Sequence, residues 1–125
     1  MALTADALRA SLAEVPDNVE GDIIARGTPV ATRLCAFLEA HRAGSAIVEV
    51  YSWAFNVEFV LKSGEYWAIE CLSPNDFRMY PGFVRGDTVT WANVWVRGTN
   101  MNLDELVKDV NGVAFRMTKE EPENA

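Results

Sequence analysis

The chain has 125 residues, half of them hydrophobic and 23% charged, which is the composition of one globular domain. The formal net charge at pH 7 is −7. This charge argues against direct nucleic-acid binding, because phosphate backbones are recognised by clustered Lys and Arg, and it favours a partner protein with a basic surface. Residues 14–22 form an acidic cluster without a base, and whether they imitate the phosphates of a nucleic acid stays open.

The sequence predicts a cytoplasmic protein that is not bound to a membrane. Its first residues lack a basic leader followed by an apolar core, so we expect no secretory signal. No apolar run approaches the roughly 18 residues that a membrane-spanning helix needs. Cys35 and Cys71 lie among apolar neighbours, so we expect buried, reduced thiols.

Two helices are predicted at the start of the chain. Thr4 can cap a helix that runs to about residue 14, and Pro16 ends it. The pair Thr28-Pro29 has the pattern of a cap followed by a proline in the first turn, and it predicts a second helix that ends near Gly44. Its apolar residues form one stripe, which is suited to packing on a sheet: Val30, Leu34, Phe37, Leu38 and His41.

A strand is predicted from Ala46 to Trp53, with Val48 and Val50 on one side and Ile47, Glu49, Tyr51 and Trp53 on the other. Residues 52–56 either turn or continue as one bent strand. We favour a turn or bulge, because a strand that continued through them would be unusually long.

The stretch from Val57 to Cys71 predicts a β-hairpin, because two alternating apolar runs flank Gly64. A three-residue turn with Gly64 in the left-handed conformation pairs Phe59 with Trp67. This register gathers the apolar side chains on one face and places Glu58, Val60, Tyr66, Ala68 and Glu70 on the other.

The rest of the chain predicts a loop, a strand, a helix and a strand. Residues 73–86 contain prolines, glycines, three aromatics and two arginines, a composition typical of a long functional loop. A strand from Thr88 to Val96 follows, then a helix that starts at Asn102 and ends at Asn111-Gly112, and a last strand over Val113–Met117.

The element order predicts an α+β fold, in which N-terminal helices and one short C-terminal helix cover one face of an antiparallel sheet of 4–5 strands. We expect a single domain over residues 1–118 and an acidic, flexible tail over residues 119–125.

The sequence contains no motif for a nucleophile, a metal or a cofactor. His41 is the one histidine, so the usual zinc ligand sets cannot be assembled from this chain alone. No serine lies in a G-x-S-x-G motif, and no phosphate-binding glycine pattern occurs. These observations favour a protein that is not an enzyme and has no cofactor.

The aromatic side chains give the clearest functional signal. Aromatics and Arg are enriched at the energetic centres of protein interfaces. We therefore predict a partner-binding surface on one sheet face and the 73–86 loop, made of Tyr51, Trp53, Tyr66, Trp91, Trp95, Phe77, Arg78, Tyr80 and Phe83 with Glu49, Glu58 and Glu70. An open alternative is that Trp91 and Trp95 fill the core beneath the helices.

Two functions are compatible with this pattern. The first is a small acidic interaction domain of the inhibitor, immunity or adaptor type, docking a larger basic protein or a second copy of itself. The second is a ligand-binding or hydrolytic domain with an aromatic pocket, in which Glu49, Glu58 or Glu70 is the polar anchor. An exposed aromatic patch would favour the first, and a concave pocket with an inward carboxylate would favour the second.

Overall fold

The computed structural model describes residues 2–16, 21–85, 88–91 and 100–115. These residues form three α-helices and a five-stranded antiparallel sheet, which confirms the predicted α+β class. In chain order the elements are α1 (Ala5–Leu12), α2 (Ile23–Ala40), β1 (Ile47–Trp53), β2 (Asn56–Leu61), β3 (Tyr66–Ser73), β4 (Asp76–Arg85), β5 (Thr88–Trp91) and α3 (Leu103–Ala114). A single 3-10 turn at Arg42–Gly44 joins α2 to β1.

The sheet is a meander in which each strand pairs with its neighbours in sequence, so that β1 and β5 are the terminal strands. The predicted register of the β2–β3 hairpin is confirmed, since Phe59 lies opposite Trp67 and Val57 opposite Ile69. Gly64 has a φ of +94°, and its N–H donates to the Leu61 carbonyl. Glycine adopts this conformation without the steric cost that a side chain would add.

The β1–β2 connection is a tight turn at Ala54 and Phe55. This confirms the turn that the sequence favoured over a single bent strand. The register of this hairpin shifts between Ile47 and Glu49, which leaves Val48 as the extra residue of a β-bulge. Ile47 therefore lies on the buried side of the sheet opposite Leu61, and Val48 is exposed. The prediction that Ile47 shares a face with Glu49 was wrong, because one bulged residue inverts the alternation before it.

The three helices cover one face of the sheet, as predicted. α2 lies across β1, β2 and β3, α3 contacts β4, and α1 packs against both other helices. The largest fully buried side chains between these layers are Phe59, Phe77, Leu8, Leu34, Leu38, Ile69 and Leu106. Gly27 lets α2 approach the backbone of β3 closely, since a Cβ at that position would lie 2.0 Å from the Cys71 carbonyl oxygen.

The second helix begins earlier than the sequence predicted. Asp22 is the N-cap, and its carboxylate accepts a hydrogen bond from the Ala25 N–H at 3.0 Å. Pro29 consequently lies inside the helix instead of in its first turn. The helix ends at Ala40, and His41 is its C-cap.

The segment 73–86 was predicted as a loop, and this prediction was wrong. Its residues from Asp76 to Arg85 form β4, the longest strand of the sheet. Proline is accommodated because Tyr80 and Gly82 lie at the positions that bond to β3, so that the nitrogen of Pro81 faces away from that strand.

The last described helix is longer than predicted. Asn102 forms a complete capping box with Glu105, but the helix continues past Asn111-Gly112 to Ala114. A strand over Val113–Met117 is therefore excluded at its start, and residues 116 and 117 lie outside the described residues. The second half of the predicted strand Thr88–Val96 and the tail 119–125 also lie outside them.

The side chain of Asn111 explains why the helix does not end there. Its amide oxygen accepts a hydrogen bond from the Leu3 N–H at 2.9 Å, and its Nδ2 donates to the Leu3 carbonyl at 3.0 Å. Leu3 is buried in the core. The helix therefore uses Asn111 to hold the segment before α1 in place.

Candidate functional site

The face of the sheet opposite the helices, called the outer face below, carries the three glutamates and four of the eight aromatics singled out in the sequence. The strand register places on it Glu49, Tyr51 and Trp53 of β1, Asn56, Glu58 and Val60 of β2, Tyr66, Ala68 and Glu70 of β3, and Arg78 and Tyr80 of β4. The predicted grouping of Tyr51, Trp53 and Tyr66 with the three glutamates is therefore confirmed.

Tyr51 and Glu58 form a directly opposed pair across β1 and β2. The Tyr51 hydroxyl donates a hydrogen bond to Oε1 of Glu58 at 2.6 Å. Burial raises the pKa of Tyr51 well above its usual range, and the hydrogen bond and negative charge of Glu58 and the charge of Glu49 raise it further. At neutral pH the Tyr51 hydroxyl is therefore protonated, and its hydrogen bond links the two side chains on the outer face.

A second polar group joins β3 and β4. The Tyr80 hydroxyl lies 3.5 Å from Oε2 of Glu70, and Arg78 lies 3.8 Å from the other oxygen of that carboxylate. Burial, followed by the charges of Glu70 and Glu58, raises the pKa of Tyr80 to about 12. Arg78 also donates to Asn100 at 2.8 Å. The carboxylate of Glu70 is thus compensated within the protein.

The exposed apolar side chains are concentrated on β1. Trp53 is 69% exposed, Val48 46% and Tyr51 39%. Among the described residues the fourth large exposed apolar side chain is Ile24, which lies on α2 at 51% exposure. Because single exposed apolar residues are ordinary on protein surfaces, the informative observation is that three of the four share one terminal strand.

The structure separates one residue of the predicted surface, Phe77, from this face, and the side chains of three others lie outside the described residues. Phe77 is fully buried on the helix side of the sheet and belongs to the core. Trp91 is described as a backbone position of β5 opposite Gly82, but its side chain and that of Phe83 lie outside the described residues. Trp95 also lies outside them. The 73–86 segment contributes to the outer face as a strand, through Arg78 and Tyr80.

A cavity of about 400 Å³ lies at another place in the fold, between the end of α1, the β3–β4 turn and the start of α3. It is lined by Arg9, Leu12, Ala13, Val15, Pro74, Asn75, Leu103 and Asp104. Arg9 is paired at 3.0 Å with both Asp6 and Asp104. The lining of the cavity includes none of the three glutamates, one of which the pocket hypothesis requires as its polar anchor. The cavity therefore does not support that hypothesis.

Of the two thiols expected to be buried, Cys71 is buried and Cys35 is only partly buried. Cys71 is fully buried, and burial raises the pKa of its thiol above the usual range. Burial also raises the pKa of Cys35, so neither cysteine is an activated thiolate. His41 Nδ1 lies 2.8 Å from the Phe37 carbonyl, and the two rings are in contact. Within the described ranges, no three His, Cys, Asp or Glu side chains come together as metal ligands.

Two features of the site had no signal in the sequence. The bulge exposes Val48, and no glycine or proline marks its position. The amide oxygen of Asn56, on the outer face between Trp53 and Glu70, is buried and has no hydrogen-bond partner among the described residues. Both depend on how neighbouring strands pair, which residue patterns alone do not specify.

Within the part of the chain that the structure describes, no helix combines the length and hydrophobicity needed to cross a bilayer. Comparison of the chain with protein-family models, with curated proteins and with solved structures gave no match.

Proposed function

We propose that this protein is a small, acidic, non-enzymatic interaction domain that docks a larger, locally basic protein through the β1–β2 part of its outer face. Inhibitor, immunity and adaptor or chaperone proteins are the functional classes that fit this description. The proposal depends on one observation above all. Trp53, the most exposed of the large apolar side chains described, shares a strand face with Tyr51 and Glu49.

The charges on this part of the surface favour a basic partner. The strands β1 and β2 contain Glu49 and Glu58 and neither Lys nor Arg, and the whole chain has a net charge of −7. Complementary charge accelerates diffusional encounter and disfavours partners of the same sign. Arg78 compensates Glu70 on β3, whereas Glu49 and Glu58, near the exposed aromatics, are in none of the ion pairs of the described residues.

The aromatic side chains provide the apolar part of such an interface. Trp and Tyr are enriched among the residues that dominate binding energy, because they bury a large area with few rotatable bonds. The face of an indole also attracts Lys and Arg side chains, with about 0.5–1 kcal/mol at exposed sites. Trp53 beside a carboxylate is therefore suited to a cationic side chain of the partner.

The test compares two variants that place the same charge at different exposed apolar positions. Trp53→Glu changes the outer face, whereas Ile24→Glu changes α2, where the side chain is 51% exposed. Each immobilised variant and the wild type are incubated with an extract of the native host, and bound proteins are quantified by mass spectrometry. We expect a partner with a basic surface to be retained by the wild type and by Ile24→Glu but lost by Trp53→Glu.

Thermal melts of both variants verify that they are folded. Equal retention of the partner by Trp53→Glu and Ile24→Glu would contradict the proposal, because the outer face would then contribute nothing. Retention of a partner without a basic surface would also contradict it. Loss of binding in 0.5 M salt, at about three times the ionic strength of a cell, is the expected result for charge-assisted docking.

A further inference from the structure

β1 is a terminal strand of the sheet, and this gives it a second binding capacity besides its side chains. A terminal strand has backbone N–H and C=O groups that no neighbouring strand bonds. Among the described residues, the order of the strands leaves β1 paired on one side with β2 and unpaired within the sheet on the other.

The hydrogen-bond pattern identifies which groups these are. The Leu61 N–H donates to the Glu65 carbonyl at 2.9 Å, so Leu61 and every second residue before it in β2 bond to β3. The intervening residues, including Glu58, bond to their β1 partners, and Glu58 lies opposite Tyr51. The N–H and C=O groups of Val50 and Ser52, which flank Tyr51, therefore point away from the sheet.

The first half of the β1 edge is blocked by the protein itself. Arg42 donates from Nη1 to the Val48 carbonyl at 2.9 Å, and the Ala46 N–H donates to the Ala114 carbonyl at 2.7 Å. The bulge at Val48 also interrupts the regular spacing that an added strand would need.

Within the part of the chain that the structure describes, the second half of the edge has no such contacts. It contains no Lys or Pro, the residues that proteins commonly place on terminal strands to prevent pairing. Among the described residues no backbone partner meets the N–H and C=O groups of Val50 and Ser52. The same four-residue segment, 50–53, carries the exposed side chains of Tyr51 and Trp53.

We propose that the partner binds by adding an extended segment to β1 at residues 50–53, with Lys or Arg at alternate positions of that segment. This inference rests on the proposed function and specifies its geometry. In an added strand, alternate side chains lie on the outer face, next to Glu49, Tyr51 and Trp53. Basic side chains at those positions meet a carboxylate and two aromatic rings, while the backbone of the segment bonds to Val50 and Ser52.

A second copy of this chain is the other extended segment that such an edge can accept. Pairing two β1 strands would bring together two outer faces with the same uncompensated Glu49 and Glu58, and two chains of net charge −7. Like charges on adjacent strands are destabilising. Charge therefore favours a basic occupant over a second copy.

The test uses three short synthetic peptides of equal length, in which Lys alternates with Val, Lys alternates with Pro, or Glu alternates with Val. The Lys-Pro peptide has the charge of the first peptide but cannot donate backbone hydrogen bonds from its prolines. Binding is measured by NMR titration of the full chain and by amide hydrogen exchange. We expect the Lys-Val peptide to bind about tenfold or more tightly than the Lys-Pro peptide, as expected for the loss of at least one hydrogen bond. We also expect it to slow the exchange of the Val50 and Ser52 amides.

Two variants of the protein test the same edge from the other side. Ser52→Pro removes an outward N–H, which a terminal strand tolerates, and Ser52→Ala keeps that N–H while removing the hydroxyl that contacts Cys35. Melting temperatures and hydrogen exchange in β2 show whether the sheet is intact. We expect Ser52→Ala to bind the Lys-Val peptide as the wild type does and Ser52→Pro to bind it about tenfold more weakly.

The outcomes distinguish the geometry from the function. Equal affinity for the two Lys peptides, without slowed exchange in β1, overturns strand addition and leaves docking through side chains in place. Absence of binding by both Lys peptides overturns the inference of strand addition. The proposed docking function is then tested separately, by comparing how Trp53→Glu and Ile24→Glu retain the partner. Tight binding of the Glu-Val peptide would overturn the inference that the added segment is basic. A dimer of the free chain that Ser52→Pro abolishes would overturn it as well.

Discussion

Replacing Gly27 with alanine tests how α2 packs on the sheet. An added Cβ would lie 2.0 Å from the Cys71 carbonyl oxygen and 2.6 Å from Cβ of Phe55, where ordinary contacts begin at 3.4 Å. Neither atom is at the end of a flexible side chain, so no rotamer change relieves the overlap. The helix and β3 have to separate by more than an ångström, and this loosens the fully buried Val30 and Leu34.

Two opposing effects determine the size of the change. Alanine is favoured over glycine inside a helix by about 1 kcal/mol. Overpacking of a tight core costs about 1–3 kcal/mol and occasionally more, and a clash with a backbone carbonyl places Gly27→Ala at the upper end. We expect a net loss of about 2 kcal/mol in the free energy of unfolding, a large fraction of the roughly 5–15 kcal/mol that stabilises a typical domain.

Gly112 supplies the matched control, because it also lies inside a helix but, apart from its own helix, none of the described residues comes within 4 Å of an added Cβ. Gly112→Ala should raise the free energy of unfolding by about 0.5–1 kcal/mol. Both variants are compared with the wild type by urea denaturation followed by circular dichroism. If Gly27→Ala proves as stable as the wild type, or shifts in the same direction as Gly112→Ala, the close approach of α2 and β3 is refuted.

The contacts of Asn111 and Tyr80 yield two further predictions. Asn111→Asp keeps an oxygen for the Leu3 N–H but removes the donor to the Leu3 carbonyl. Urea denaturation should therefore show a free energy of unfolding lower by about 1–2 kcal/mol. An unchanged denaturation midpoint would contradict the role of Asn111 in holding Leu3. The pKa of Tyr80 is raised from its usual 10 to about 12, so the folded state binds that proton more tightly than the unfolded state. The associated stability is present below about pH 10 and is lost as the pH rises to about 12. The wild type should therefore lose free energy of unfolding more steeply than Tyr80→Phe between these pH values. Parallel stability curves would contradict the raised pKa of Tyr80.

The parts of the fold that were predicted correctly are those in which one local pattern determines the structure. Gly64 and two alternating runs were enough for the β2–β3 register, and Thr4 was enough for the start of α1. The grouping of Glu58, Tyr66 and Glu70 on the outer face followed from that register, because side chains alternate strictly along a regular strand.

The errors arose where tertiary contacts override a local signal. Pro81 and Gly82 are typical of loops, but strand pairing accommodates both in β4. Asn111 is typical of helix ends, but its two hydrogen bonds to Leu3 keep it inside α3. The bulge that exposes Val48 is a property of two paired strands, and one strand examined alone does not contain it.

The link between Leu3 and Asn111 joins residues 108 positions apart in the chain. During synthesis on a ribosome, α1, α2 and the whole sheet emerge before Asn111 does. The backbone of Leu3 therefore stays without its final anchor until α3 has been made, even though Leu3 precedes α1 in the chain. Contacts of such long sequence separation form late and slow folding, so nascent chains that stop before α3 should expose apolar surface that the finished domain conceals.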